Sequence, residues 1–279
     1  MSTRYRSFFF IVFLLCASVA FGQKQIVILH TNDTHSRMEP LPGTDKTAPG
    51  KGGAVRRASY MQQIRNENKD VLLLDAGDFL QGTPYFNMFK GEAEVKAMNL
   101  LGYDAATIGN HEFDYGLVVL EQVARQARFP IVSSNYDFSG TPLQDLVKPF
   151  IILKKAGVKI GVIGIDVQPE GLVSAENYQG MKYRPAIETA NRIAEKLRKQ
   201  DKCDMVICLS HLGYLDDIKL AEASRNIDLI IGGHSHTYMA QPDIRKNLDG
   251  KDVMIHQTNG RGVYVGRIDV SFVKDRKIK

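Results

Sequence analysis

Gln25-Ile26-Val27-Ile28-Leu29-His30 runs straight into Thr31-Asn32-Asp33-Thr34-His35. A compact apolar run of strand length, bounded by turn-favouring residues, reads as a buried strand. Here it is followed at once by an aspartate and a histidine two positions apart. In an extended exit loop such residues project to one side, so Asp33 and His35 are expected to grip one ion. The arrangement recurs downstream. Val71-Leu72-Leu73-Leu74 leads through Asp75-Ala76-Gly77 to Asp78, where the glycine lets the backbone turn and present a carboxylate beyond the strand end. One carboxylate can bridge two cations. Asp75, at the strand end itself, reads as a supporting residue rather than a ligand.

Further apolar runs at 104–108, 130–134, 204–210 and 227–231 also read as buried strands. Helical patterns lie between them at about 53–67, 90–101, 116–128, 186–200 and 215–224. Alternating strand and helix predicts an α/β core. Runs 148–153 and 158–165, separated only by Lys154 to Gly157, suggest a hairpin and so a mixed sheet. Residues 252–258 and 263–273, broken at Gly260 and Gly262, read as another hairpin. The stretch Arg37 to Gly53, with three prolines and four glycines, is expected as a surface loop over the end of the first strand. Its Gly50-Lys51-Gly52-Gly53 is not a phosphate-cradling P-loop, because Asp45 stands where the earlier glycine is required and no Ser or Thr follows Lys51. A glycine turn opening the helix at about 53 fits better.

The amino terminus places Arg4 and Arg6 before the apolar stretch Phe8 to Leu15, with Ala20 and Gly22 at minus three and minus one before Gln23. That is a secretory signal-peptide pattern, so residues 1–22 are expected to be removed and the protein exported, to a periplasm or the extracellular space. The apolar stretch is well under the roughly 20 residues of a permanent span. Cys16 follows Leu14 and Leu15, not the small residues of a lipoprotein site, and leaves with the leader. No later segment reads as membrane-spanning. Of the formal charge of +5, Arg4 and Arg6 contribute two, and the remainder implies no polymeric nucleic acid as partner. Lys274 to Lys279 reads as a solvated basic tail. Cys203 and Cys208 flank a strand-like run that would hold their sulfurs too far apart for a disulfide, so free thiols are expected.

Gly109-Asn110-His111-Glu112-Phe113-Asp114 is the most specific cluster. An Asn oxygen can bind a hard ion without adding charge, which leaves the adjacent His111 near substrate. Asp114, three residues on, can accept a hydrogen bond from His111, fixing its tautomer and favouring its charged form. Glu112 receives no role. His211 follows the run Met205 to Ser210, and His234 and His236 follow Leu229 to Gly233. A hydrolytic metal pair needs this mixed shell of carboxylate, imidazole and amide oxygen, delivered from converging strand ends. The expected ligands are Asp33, His35, Asp78 and His236 around one ion, and Asp78, Asn110, His211 and His234 around the other. His30 and His256, inside strands, read as structural.

His30-Thr31-Asn32-Asp33-Thr34-His35, Gly77-Asp78-Phe79-Leu80-Gln81-Gly82-Thr83, Gly109 to Asp114 and Gly233-His234-Ser235-His236-Thr237 resemble the calcineurin-like metallophosphoesterase signature. Their particular forms resemble the secreted 5'-nucleotidase branch, and the match runs from about residue 24 to 273. The resemblance implies a four-layer α/β/β/α sandwich with two mixed sheets and a dinuclear centre at the C-terminal ends of the strands. It also implies the ligand division above and a phosphoester hydrolase that turns a metal-activated water on nucleotide phosphate esters. His111, oriented by Asp114, would then act at the leaving oxygen. Two divalent ions are expected, with zinc, manganese, iron and cobalt all suited to these ligands. Proteins of that branch usually continue into a second domain that stacks the nucleoside base, whereas residues 23–279 read as the catalytic domain only. The alternatives are therefore a subunit that needs a separate nucleoside-binding protein, or a 2',3'-cyclic nucleotide phosphodiesterase. Nucleotide sugars and thiosulfonates are further rival substrates.

Overall fold

A computed structural model describes residues 24–272. The expected leader, residues 1–22, and the basic tail, 274–279, lie outside the described residues. The described residues begin with β1 (Lys24–Thr31), α1 (Ala54–Glu67), β2 (Val71–Asp75), α2 (Pro84–Phe89) and α3 (Glu92–Leu101). There follow β3 (Ala105–Ala106), α4 (Gly116–Gln126), β4 (Ile131–Val132), β5 (Tyr136–Asp137), β6 (Val147–Lys148), β7 (Phe150–Lys155) and β8 (Val158–Asp166). The last part contains β9 (Lys182–Tyr183), α5 (Ala186–Lys199), β10 (Met205–His211), α6 (Tyr214–Glu222), β11 (Leu229–Gly232), β12 (Asp243–Lys246), β13 (Asp252–His256) and β14 (Gly266–Phe272).

Two mixed six-stranded sheets result, in the orders β14-β1-β2-β3-β4-β6 and β12-β13-β11-β10-β8-β7. Strand alternation explains how they stack, because successive side chains of a strand face opposite sides. Ile26 and Ile28 of β1 and Leu72 and Leu74 of β2 join Ile160, Val162, Ile207 and Leu209 in a core between the sheets. Val27, Leu29 and Leu73 point the other way, against Met61 of α1, Val95 of α3 and Leu120 of α4. Ile163 and Ile165 likewise face Ala190, Ile193 and Leu197 of α5 and Leu220 of α6. Helix, sheet, sheet and helix form four layers, as expected. Both faces of the central strands are buried, which is why they read as continuous apolar runs.

The α5 sequence shows the outer-layer logic: Ala190, Ile193, Ala194 and Leu197 recur on one buried stripe. Lys196, Arg198 and Lys199 in its last turn complement the negative end of the helix dipole. The expected helix over 90–101 forms as α3, and a short helix that the sequence reading did not include, α2, precedes it. Pro84 begins α2 behind a Thr83 side chain that accepts from Tyr85 N, and left-handed Lys90 and Gly91 separate it from α3. The hairpin expected from 148 to 165 forms, with β7, starting at Phe150, antiparallel to β8. The one expected at the C-terminus does not. β13 lies parallel to β11 in the second sheet, while β14 crosses to the first and runs antiparallel to β1. Asn32 accounts for the crossing, because its Oδ1 accepts from Thr258 N at 2.9 Å and Thr258 Oγ1 at 2.7 Å and pins the connection beside β1. Cys203 and Cys208 are buried free thiols. Among the described residues no helix is long and apolar enough to cross a membrane.

A buried polar bolt also joins the sheets. Asp166, at the end of β8, accepts from Ser133 Oγ, and its Oδ1 lies 2.7 Å from Thr107 Oγ1. Thr107 Oγ1 is equally close to Val132 O, at 2.7 Å. Its single proton can serve only one of these, so a proton on Asp166 completes the other. Burial, opposed by the two hydroxyls, pushes the Asp166 carboxyl up to about 7, in keeping with that count.

Candidate dinuclear metal site

β1 and β2 lie side by side in parallel register, as do β10 and β11. Parallel strands bring their C-terminal ends to one edge, where loops can collect side chains. The loop after β1 then follows the loop after β2, with Asp33 N donating to Gly77 O at 2.9 Å and His35 N to Asp78 O at 3.0 Å. The exit loops are not extended. Asp33, His35, Asp78, His234 and His236 all have φ between 47 and 69°, a region that non-glycine residues enter only when their surroundings over-determine it. These left-handed turns aim the side chains.

Two groups of ligand-capable atoms form, each with all atoms within 4.8 Å of one another. Asp33, His35 and His236 make one, and Asp78, His211 and His234 the other. In the first, His35 Nε2 and His236 Nε2 face each other at 3.0 Å, with Asp33 Oδ1 3.2 Å from His236 Nε2. In the second, Asp78 Oδ2 is 3.1 Å from His211 Nε2, and Asn110 Oδ1 is 2.9 Å from His234 Nδ1. Asp78 Oδ2 also lies 3.9 Å from His35 Nε2, so this carboxylate stands between the groups. Every residue expected as a ligand is brought to this one place.

The donor set fits cations on an observation independent of the family resemblance. His211 is fully buried and donates Nδ1–H to Ala76 O at 2.7 Å, which turns the Nε2 lone pair toward a carboxylate oxygen. Among the described residues His211 Nε2 makes no well-aligned hydrogen bond, although Asp78 Oδ2 lies 3.1 Å away. Two acceptors face each other at hydrogen-bond distance only if a proton or a cation lies between them. Burial opposes charge on His211, but the Asp78 and Asp33 carboxylates outweigh it and raise its pKa well above the ordinary value. Burial likewise opposes charge on Asp78, and His211 overrides it, holding the carboxyl well below the usual range. Metal binding displaces protons held in this way. His35 and His234, by contrast, are pushed down by burial and are ready as neutral ligands.

His111 stands at the rim, its ring centroid 5.4 Å from that of His35. It belongs to neither group. Its backbone N–H donates to Asp78 Oδ1 at 2.9 Å, and its Nδ1 lies 3.1 Å from Asp114 Oδ2. The hydrogen bond to Asp114, more than any other influence, pushes its pKa up to about 9. Nε2 takes no part in that bond.

Supporting residues went unseen in the sequence. Glu112 is buried and takes backbone N–H bonds from Asp78 at 2.8 Å, Leu80 at 3.0 Å and Gly109 at 2.6 Å, locking the Asp78 loop to the Asn110 loop. Asn32 Nδ2 donates to Asp33 Oδ2 at 2.6 Å. Their place within otherwise legible clusters was the only available signal. Asp75 is buried behind the site, bonded to Thr31 and Gly77 N. His30 and His256 pair with each other at 2.8 Å, away from both groups.

The family model for calcineurin-like phosphoesterases matches residues 26–238. The chain belongs to the calcineurin-like phosphoesterase family. It is 34% identical to a snake venom 5'-nucleotidase of Gloydius brevicauda over 93% of this chain and 47% of the relative. It is 32% identical to the trifunctional nucleotide phosphoesterase of Bacillus subtilis over 90% of this chain and 18% of that protein. Among solved structures, the 5'-nucleotidase precursor of Thermus thermophilus superposes with a TM-score of 0.84 at 33% identity, covering 89% of this chain and 52% of that one. The chain thus spans about half the length, or less, of the curated relatives it matches. This calcineurin-like phosphoesterase shares their mixed α/β fold with two large sheets. Family membership indicates a metal-dependent phosphoester hydrolase and implies divalent ions, for which the two side-chain groups are the candidates.

Proposed function

We propose that this chain is an exported phosphoesterase that releases phosphate from nucleotide phosphate esters in the manner of a 5'-nucleotidase. The observation that carries the proposal is the convergence of two ligand groups on either side of Asp78. Asp33, His35, Asp78 and His236 would hold one divalent ion, and Asp78, Asn110, His211 and His234 the other. When bound, such a pair supplies Lewis acidity to phosphoryl oxygens and lowers the pKa of a water.

The chain's own residues do the rest. Asp78 N, Leu80 N and Gly109 N are tied to Glu112, which keeps the two loops in one register as substrate enters. His211 is immobilised by its bond to Ala76 O, and Asp33 by two contacts from His234 N, at 3.0 and 3.1 Å. His111 carries a proton that its partner Asp114 helps to hold. From the rim, its Nε2 can donate to the leaving oxygen as negative charge grows there.

The test is a substrate panel on the full chain purified without its leader. Adenosine 5'-monophosphate, 2',3'-cyclic adenosine monophosphate, a nucleotide sugar and a generic aryl phosphate are each offered with manganese, zinc or cobalt. Phosphate release from the 5'-monophosphate, lost on chelation and restored by metal, is the expected result. A metal-loaded chain that hydrolyses none of them, with products resolved by chromatography, would overturn the proposal. Ring opening of the cyclic ester to the 2'- or 3'-monophosphate, with the 5'-monophosphate left intact, would replace it with a phosphodiesterase.

A further inference from the structure

The segment Gly233 to Thr237 supplies one ligand candidate to each group, His236 to the first and His234 to the second. Both histidines stand in left-handed backbone, at φ 49° and 69°. Such a shape does not persist on propensity and needs an external hold. The hold comes from the neighbouring strand, from Gln257, which immediately follows β13 beside β11 and is fully buried.

One amide grips the segment at both ends. Gln257 Nε2 donates to Gly233 O at 2.9 Å, while Oε1 accepts from Thr237 N at 3.0 Å and from Ser235 Oγ at 3.1 Å. The second hydrogen of Nε2 is directed to Asp217 Oδ2 at 3.4 Å. Asp217, on α6, accepts from Ser210 Oγ, the residue before His211. An amide is free to flip unless its neighbours distinguish oxygen from nitrogen. Here a carboxyl and a carbonyl stand on one side, and an N–H and a hydroxyl on the other, so only one orientation satisfies all four. A Cβ on Gly232 would lie 2.8 Å from Gln257 Nε2, which shows how little room the amide has to move.

We infer that Gln257 is a positioning residue that sets both halves of the dinuclear site at once, its orientation fixed by Asp217. Residues that orient ligands without touching the metal commonly change its affinity by about 10–100-fold. Because one clasp shapes a segment serving both groups, its loss weakens two sites in parallel, whereas loss of a ligand weakens chiefly its own. The inference rests on reading the two groups as metal sites.

Calorimetric titration of the metal-free full chain with manganese chloride tests it, with metal content counted after gel filtration. The variants are Gln257→Met, which is neutral and close in shape, His236→Ala and Ser224→Ala. Ser224 lies just beyond α6, and its buried hydroxyl donates to Ala221 O, away from Gln257 and both ligand groups. Expected is a fall of about 10–100-fold at both sites in Gln257→Met, a fall at one site in His236→Ala, and wild-type affinities in Ser224→Ala. Far-UV circular dichroism checks that each variant is folded. Wild-type affinities in folded Gln257→Met, or weakening of one site alone, would overturn the inference while leaving the dinuclear reading intact. Wild-type protein that takes up no manganese would overturn both. If Gln257→Met does not fold, Gln257→Glu serves in its place. It keeps an oxygen for Thr237 N and Ser235 but loses the N–H donated to Gly233 O, so parallel weakening is again expected and unchanged affinities again overturn the inference.

Discussion

Gly109→Ala tests how tightly the site is built. A Cβ at this position would overlap Asp78 Oδ1 and lie 2.7 Å from both Asp78 N and His211 Nε2. Ordinary contact begins near 3.4 Å, so the two atoms at 2.7 Å are about 0.7 Å too close and the carboxylate oxygen is closer still. None of these atoms can step aside cheaply. Asp78 N is backbone bonded to Glu112, and His211 is held through its Nδ1 by Ala76 O. The β3 exit loop must therefore retreat, taking Asn110 and His111 with it. Overpacking of this kind costs about 1–3 kcal/mol. For a chain of this size that lowers the melting midpoint by roughly 2–12 °C, taking about 2–4 °C per kcal/mol. A misplacement of about 1 Å costs on the order of 100-fold in turnover, or about 2.7 kcal/mol of barrier. Gly43 is the control, since a Cβ there meets nothing within 4 Å. Thermal unfolding and phosphate release would be measured for both variants. A Gly109→Ala protein with the melting point and turnover of Gly43→Ala would refute the packing account of the site.

Two further outcomes follow from other parts of the molecule. His111→Asn should lower turnover by about 100- to 10,000-fold, the range for a lost general acid, with metal content unchanged because His111 belongs to neither ligand group; loss of metal, or full activity, would remove it from the role at the leaving oxygen. Asp166→Asn should alter how stability depends on pH. The Asp166 pKa is raised from 3.8 to about 7 by burial, so between those values the folded chain retains a proton that the unfolded chain releases. Its contribution is in full effect below about pH 4 and is lost as pH rises toward 7, with a ceiling of roughly 4 kcal/mol for about three pKa units. Urea unfolding of metal-free protein from pH 4 to 8 should show that decline in the wild type and a flatter profile in the variant. Parallel profiles would mean that Asp166 is already ionised in the fold.

The ligand-bearing clusters were legible in the sequence because strand and cluster are contiguous. A run such as Val71 to Leu74 is apolar on both faces, and the carboxylate that matters follows within four positions, at Asp78. The alternation of such runs with helical periodicity likewise announced the layers. What the sequence could not carry was long-range pairing. β13 and β14 looked like a hairpin because local pattern records only that two strands follow one another, while the sheet each joins is decided by partners such as Asn32, more than 220 positions away. Glu112 and Gln257 stayed silent for a related reason. A buried acceptor of backbone N–H groups has no periodicity of its own, and only folding determines which amides it meets. Composition and spacing thus determined the chemistry on offer, seven metal-capable side chains behind apolar strands. The tertiary structure alone decided how close these atoms stand on either side of Asp78, because left-handed turns and buried hydrogen bonds between distant segments fix where each side chain points.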